Sequence, residues 1–417
     1  MIDTIVFIVL IGITLLLGYV GNHIFSRTRI PDVVWLFVFG LLITHFGLVP
    51  REPFIAISNL LASIALFIIL FDAGLNMDIH KFLHGFSRSF LLAILGFVFS
   101  VLSVAGVAVF MLKLDILHGL LLGSILGGTS SALVISMVSR LRIKENTKTA
   151  LSLESVLTDP IVIVVSMALM ALIVPASFTA VYSPVHGILS AFSIGIVVGL
   201  VTGVVWLFVL DKVRGKSFDY MLTLGLLFLL YAGVEYSGGS GAIAALFFGL
   251  VLGNGKIFSE TIHLNKKYII SEYWYLRRLQ TEITFFIRSF FFVFLGLVVV
   301  INQSYIIYGL AVAAILIIVR LLAVQISLSG LKMPSYEKNV IRIMAPRGLA
   351  AAILAQLAVI YAVPGADTLT SIIFIVILTT AIYSSLLVAV VSRREEKKLS
   401  KAHKKQHKTH KSGVLHE

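Results

Sequence analysis

Residues 150–165 read ALSLESVLTDPIVIVV and place two carboxylates, Glu154 and Asp159, in a segment that is otherwise apolar enough to cross a membrane. A charged side chain at the bilayer centre costs roughly 2.5 to 3.5 kcal/mol on insertion scales. Ionisable residues at this depth usually serve ion or proton transfer. The stretch therefore predicts an intramembrane ion site.

The composition around this stretch is that of an integral membrane protein. Of the 417 residues, 59% are hydrophobic and 13% are charged, and the mean hydropathy is +1.04. Apolar runs long enough to span a bilayer recur along the chain, which predicts an all-α polytopic protein with about thirteen transmembrane helices. We place these spans near residues 3–25, 32–49, 54–75, 88–112, 116–138, 148–174, 185–210, 219–236, 240–253, 281–302, 305–329, 339–361 and 367–392.

The charge pattern concerns topology and partners. The net charge of +13 comes from Lys and Arg in alternate loops and in the C-terminal tail. This pattern indicates a multi-pass protein of the cell membrane with the N-terminus outside and the C-terminus cytoplasmic, in contact with anionic lipid rather than nucleic acid. The absence of cysteine excludes disulfides and thiolate metal sites.

Two apolar segments carry helix-breaking residues at their centres. LLGSILGGTSSALVISMV (121–138) contains Gly127 and Gly128, and VIRIMAPRGLAAAILAQLAV (340–359) contains Pro346 and Gly348. Interrupted helices in corresponding positions of two halves are the best sequence indication of a transporter binding site. We therefore expect two broken helices at the ion site.

Asp159 is the first candidate ion ligand. Ser155 precedes it by four residues and lies on the same helical face. Pro160 has no N–H, so the carbonyl of Val156 loses its usual helical partner and could turn towards an ion. The alternative is a carboxylate buried only for packing.

Three further charged residues each have more than one interpretation. Glu154 could bind the ion, or it could form a buried ion pair with Arg320, which we favour because an intramembrane Arg needs a counter-ion. Arg347 could neutralise the carbonyl ends of a half-helix, tune the pKa of a nearby acid, or hold the broken helix together. Asp72 could reach the ion through water or merely face the membrane interface. Arg288 and Arg342 lie near cytoplasmic helix ends, which favours an anchoring role.

The motifs LESVLTDPIVIV (153–164), GGTSS (127–131) and APRGLAAAILA (345–355) resemble the monovalent cation/proton antiporter superfamily, closest to its prokaryotic sodium/proton exchangers. The resemblance covers nearly the whole chain. It implies inverted repeats in which spans four to six and eleven to thirteen form a moving core, with two unwound helices crossing at the ion site. It also implies a homodimer whose interface domain includes the early spans.

The resemblance also implies roles for individual residues. Asp159 would be the ion- and proton-binding carboxylate, and the other members of the expected cation site are Ser155, Glu154, Thr129 and Asp72. Structural or pKa-tuning roles would belong to Thr158, Ser130, Arg320 and Arg347. The chain departs from the sodium exchangers at two places. Many of them have Asn or Asp at the position of Thr158, and they have Thr-Asp-Pro at the position of Thr129-Ser130-Ser131. The Thr-Ser-Ser sequence is similar to that of the potassium-efflux branch.

The predicted domain organisation follows from these spans. We expect an interface domain (1–87), a first core repeat (88–174), further interface spans (175–253), an amphipathic cytoplasmic linker (254–280), span ten (281–302), a second core repeat (303–392) and a basic cytoplasmic tail (393–417).

The predicted function is secondary active antiport of a monovalent cation and H⁺ through one carboxylate. Na⁺ is the expected cation, with K⁺ and Li⁺ as alternatives, and exchange should be electroneutral because Thr158 cannot ionise near neutral pH. No cofactor or enzymatic activity is expected. A sodium-coupled organic anion transporter of similar fold is the alternative, whereas the signatures of an intramembrane aspartyl protease are absent and broken helices suit alternating access better than a channel.

Overall fold

The computed structural model describes residues 4–28, 32–47, 49, 52–77, 88–138, 141, 143–174, 184–213, 219–261, 266–299, 303–331 and 333–413, and the regular elements of these residues are all helical. In chain order, the first eight helices are α1 Thr4–Thr28, α2 Asp32–His45, α3 Glu52–Asn76, α4 Arg88–Leu112, α5 Ile116–Ile125, α6 Ser131–Val138, α7 Glu145–Ile173 and α8 Pro184–Val213. The next eight are α9 Asp219–Tyr236, α10 Gly241–Gly253, α11 Gly255–Thr261, α12 Lys266–Val298, α13 Ile306–Ser327, α14 Ser335–Ile343, α15 Leu349–Ile360 and α16 Ala366–Gly413.

Six of these helices contain segments that are long and apolar enough to cross a membrane: Ser89–Leu112, Glu145–Ile173, Ser190–Leu210, Arg277–Val298, Gln303–Ser327 and Ala366–Arg393. Shorter apolar helices, such as Leu60–Asn76 and Gly241–Gly253, accompany them. The all-helical, polytopic character predicted from composition is thus confirmed, and the count of thirteen spans stays a prediction.

The helices pack in two groups. Helices α4 to α7 pack against one another, and α13 to α16 pack on them through pairs such as α4 with α13 and α7 with α15. Helices α1, α2, α3, α8 and α10 form the second group with α12, which packs on both α2 and α3. The groups meet where α3 contacts α7 and α15, and this contact positions the functional site.

Close helix contacts in the second group depend on small residues. A Cβ added to Gly40 in α2 would lie 2.2 Å from the carbonyl oxygen of Val293 and 2.8 Å from Cα of Gly296 in α12. Glycines on both helices let the two backbones touch. Close van der Waals packing of this kind holds helices together in a membrane, where lipid provides no hydrophobic driving force for their association.

Two helices run across predicted boundaries. Helix α12 is continuous through residues 280 and 281, where we expected a linker to end and a span to begin. Helix α16 continues beyond residue 392 into the basic tail as far as Gly413, through a Lys-rich stretch that has no Pro and no Gly before Gly413. These residues favour helix, so nothing in the local sequence ends either helix at the membrane surface.

Candidate functional site

The two interrupted helices cross in direct contact. Residues 126–130 separate α5 from α6, and residues 344–348 separate α14 from α15. The Ser130 N–H donates to the Pro346 carbonyl at 2.9 Å. A Cβ on Gly348 would lie 2.3 Å from Oγ of Ser130, so only glycine fits at this crossing.

Arg347 brings a positive charge to the crossing from the second break. It is 3% exposed, and its Nη1 donates to the carbonyls of Gly128 and, at 3.3 Å, Gly127 at the end of α5. Its backbone N–H donates to Oγ1 of Thr380 in α16 at 3.0 Å. The guanidinium therefore lies at the carbonyl end of a half-helix, where a cation is favoured.

Thr158 joins the first break to α7. The Thr129 N–H donates to Oγ1 of Thr158 at 3.2 Å, and this hydroxyl in turn donates to the Ser155 carbonyl at 3.0 Å. Thr129 is itself buried, and its hydroxyl has no hydrogen-bond partner among the residues that the structure describes. Polar atoms buried in this way are uncommon.

Asp159 lies beside the crossing, on the wall of a cavity of about 410 Å³. Ser131 lines the same cavity, and both its side chain and its backbone N–H act on the Asp159 carboxylate. Ser131 is the first residue of α6, so the carboxylate lies at the N-terminus of a half-helix, where free N–H groups favour negative charge. Val156, whose carbonyl has no helical N–H partner because of Pro160, lines the same cavity.

The opposite walls of the cavity come from α3 and α12. Asp72 and Asn76 line it from α3, with the Asn76 amide donating to Oδ1 of Asp72 at 3.2 Å. Thr284 and Arg288 line it from α12. Asp72 therefore shares a cavity with Asp159, and Arg288, which we expected to be an anchor at the membrane surface, faces the cavity too.

Glu154 occupies a different environment from Asp159. Both nitrogens of the Arg320 fork donate to its carboxylate, with Nη2 to Oε2 at 2.9 Å, and Arg320 Nε donates to the Ile341 carbonyl at 3.1 Å. Both side chains are buried. The favoured reading of Glu154 as the partner of Arg320 is confirmed, and the pair ties α7 to α13 and α14.

These features match a known family along most of the chain. The family described as "Sodium/hydrogen exchanger, transmembrane" matches residues 11–393. The chain belongs to the sodium/hydrogen exchanger family. The resemblance inferred from the sequence motifs is thereby confirmed.

Relatives of this chain carry the names of two kinds of antiporter. The K(+)/H(+) antiporter NhaP of Alkalimonas amylolytica is 28% identical over 386 residues, which cover 90% of this chain and 64% of the relative. The Na(+)/H(+) antiporter 1 of Methanocaldococcus jannaschii is 27% identical, with 83% of this chain and 81% of the relative covered. The chain thus spans less than two thirds of the Alkalimonas protein.

The exchanger fold is also similar to a solved structure. The structure of the sodium proton antiporter MjNhaP1 from Methanocaldococcus jannaschii at pH 8 superposes with a TM-score of 0.74 at 25% identity. The superposition covers 92% of this chain and 96% of the other.

The exchanger site brings together only some of the residues predicted for it. Asp159, Asp72 and Ser130 line one cavity, whereas Glu154, Ser155 and Thr129 do not line it. The Ser155 hydroxyl donates to the Ser152 carbonyl at 3.0 Å. Ser131 was absent from the predicted set, although its position directly after a glycine-rich break is the signal for a helix N-terminus.

Proposed function

We propose that this chain is a secondary active antiporter, not an enzyme, which exchanges a monovalent cation for H⁺ at Asp159. The observation that carries the proposal is the Asp159 carboxylate in a cavity of about 410 Å³, held at the start of a half-helix beside the crossing. Interrupted helices at membrane depth typically build a substrate site that alternates between the two sides.

Competition between two cargoes follows from the single carboxylate. A carboxylate accepts either a proton or a monovalent cation, so apparent cation affinity should weaken as the pH falls. The hydroxyl of Thr158, which precedes Asp159, stays protonated near neutral pH and holds the Thr129 backbone instead. The loaded site then has the same charge in both directions, and exchange is electroneutral.

Oxygen ligands near Asp159 would complete the cation site. Ser130 and Val156 line the cavity, and Thr129, whose hydroxyl has no partner in the described part of the chain, directly precedes Ser130 without lining the cavity. Carbonyl and hydroxyl oxygens suit hard cations such as Na⁺. Na⁺ is the proposed cargo, and K⁺ is the alternative that the name of the Alkalimonas relative supports.

The experiment is exchange in proteoliposomes with Na⁺, Li⁺ and K⁺ tested in turn. The parent protein should move at least one of these cations against H⁺, and Asp159→Asn should remove exchange while the protein stays folded. Setting the membrane potential with valinomycin and a K⁺ gradient, in Na⁺ media if K⁺ proves not to be a substrate, should leave the exchange rate and the final Na⁺ distribution unchanged. An active Asp159→Asn variant would refute the assignment, and a voltage-dependent rate would refute electroneutrality.

The finer architecture is also part of the proposal. We infer about thirteen spans arranged as inverted repeats, with a moving core made of residues 88–174 and 303–392. The packing of α4 to α7 with α13 to α16 supports this division. Residues 1–87 and 175–253 would belong to the interface domain of a homodimer, residues 254–280 to the cytoplasmic linker and residues 393–417 to the cytoplasmic tail.

Cysteine labelling tests the orientation of the chain. A cysteine near Ser177 should label from outside, and one near Ser335 should label only after permeabilisation, because basic loops stay cytoplasmic. Labelling of both positions from the same side would contradict the thirteen-span topology. Crosslinking in native membranes tests the homodimer separately.

A further inference from the structure

Arg288 is a positive charge on the wall of a cavity that should receive a cation. The cavity that contains Asp159 is also lined by Asp72 from α3 and Arg288 from α12. Three charged groups from three helices therefore face one space of about 410 Å³. Two are negative and one is positive.

The position of Arg288 is fixed by its neighbours. Its guanidinium carbon lies 5.6 Å from the ring centroid of Phe285, one helical turn earlier, and Phe285 lines the same cavity. Arg288 and Asp72 line the same cavity, and the positive charge of Arg288 acts on the Asp72 carboxylate.

We propose that Arg288 sets the net charge of the ion site: its positive charge offsets that of Asp72 and leaves Asp159 as the one negative charge available to a monovalent cation. This inference rests on the proposed function. An arginine keeps its charge at all pH values met by a protein. With Asp72 and Asp159 ionised, the three groups sum to a single negative charge, which one monovalent cation neutralises.

The consequence is a defined order of cation affinities. Without the Arg288 charge the cavity has two negative charges, and it should bind a cation more tightly because charges interact strongly in a poorly solvated space. Without the Asp72 charge, Arg288 offsets Asp159 itself, and the cavity should bind a cation weakly. Removing the charges of both Arg288 and Asp72 leaves the cavity with a single negative charge, as in the parent.

The experiment measures the apparent KM for Na⁺, or for K⁺ if K⁺ is the cargo, in proteoliposomes at alkaline pH, where proton competition is weakest. Relative to the parent, we expect a KM at least about threefold lower for Arg288→Gln and at least about threefold higher for Asp72→Asn. The double variant should return towards the parent value, and Arg288→Lys, which keeps the charge, should stay near it.

Matched controls separate this inference from general damage and from the proposed function. Arg278, on the same helix, pairs with Glu282 at 3.7 Å on the surface, so Arg278→Gln should not change KM. A fall in rate or yield without opposite KM shifts for Arg288→Gln and Asp72→Asn would overturn the proposal. Exchange that survives in Asp159→Asn would instead overturn the proposed function, whatever the behaviour of Arg288.

Discussion

The two helix breaks differ in what they contribute to the same crossing. The first, at residues 126–130, leads into Ser131 and places both Ser130 and Ser131 on the wall of the cavity that contains Asp159. The second, at residues 344–348, contributes Arg347, which binds the carbonyls at the end of α5. Similar interruptions thus place polar oxygens beside the cavity at one break and a supporting cation at the other. Changes in the second break should mainly reduce stability, and changes in the first should mainly alter cation binding.

The largest stability effect should come from the ion pair that supports the second break. Glu154→Gln leaves Arg320 buried without its counter-ion, and breaking a buried pair costs about 3 to 5 kcal/mol. We expect a clear fall in melting temperature and folded yield. Glu145→Gln, at the exposed start of the same helix and 3.4 Å from Lys148, is the matched control and should change little. A fully stable Glu154→Gln that has lost cation affinity would reverse the assignment.

Arg347→Gln should give the next largest effect. It removes charged hydrogen bonds to the carbonyls of Gly127 and Gly128, and a hydrogen bond to a charged group contributes about 1.5 to 3 kcal/mol. Thermal unfolding in detergent measures the loss. Arg342→Gln, which removes an exposed arginine that bonds Gln325 at 2.9 Å, is the control. Equal melting temperatures for the two variants would mean that Arg347 does not support the crossing.

Gly348→Ala tests the contact between the breaks without changing charge. The added Cβ would meet Oγ of Ser130 at 2.3 Å and its Cβ at 2.6 Å, and overpacking of this kind costs about 1 to 3 kcal/mol. We expect a lower melting temperature and slower exchange. Gly106→Ala in α4, where no heavy atom lies within 4 Å, should be neutral. A neutral Gly348→Ala would show that the breaks lie further apart.

Thr129→Val should have the smallest effect on stability and a specific effect on cation binding. The Thr129 hydroxyl has no partner among the described residues, so its loss costs no hydrogen bond and should leave the melting temperature within experimental error. If the hydroxyl is a cation ligand, the apparent KM should rise severalfold. Thr129→Ser keeps the hydroxyl and should keep the parent KM. A lower melting temperature with unchanged KM would make Thr129 structural.

Part of this arrangement could be predicted from local rules. The two breaks could be predicted from Gly127, Gly128 and Pro346, because adjacent glycines and an internal proline destabilise a helix. The Glu154–Arg320 pair could be predicted because a buried arginine needs an anion and few anions lie at membrane depth. Both conclusions need only residue types and approximate depth.

Other parts could not be predicted in this way. Ser155 precedes Asp159 on one helical face, yet its hydroxyl donates to the Ser152 carbonyl and does not line the cavity. Arg288 lies near the start of the predicted span 281–302, where arginine usually reaches the membrane surface, and instead lines the cavity. The rotation of a helix about its axis decides both outcomes. The periodicity of hydrophobic residues cannot specify that rotation in a span that is apolar on every face.

The sequence by itself determined the class of the molecule: a helical membrane protein with two interrupted helices, a carboxylate at membrane depth and the motifs of the exchanger family. These properties follow from composition and from residues close together in the chain. Only the tertiary structure decided which charges share a space: Asp159 shares a cavity with Asp72 and Arg288, whereas Glu154 is paired with Arg320 and does not line that cavity. The physical reason is that electrostatic partners are set by the packing of helices far apart in sequence, which no local pattern specifies.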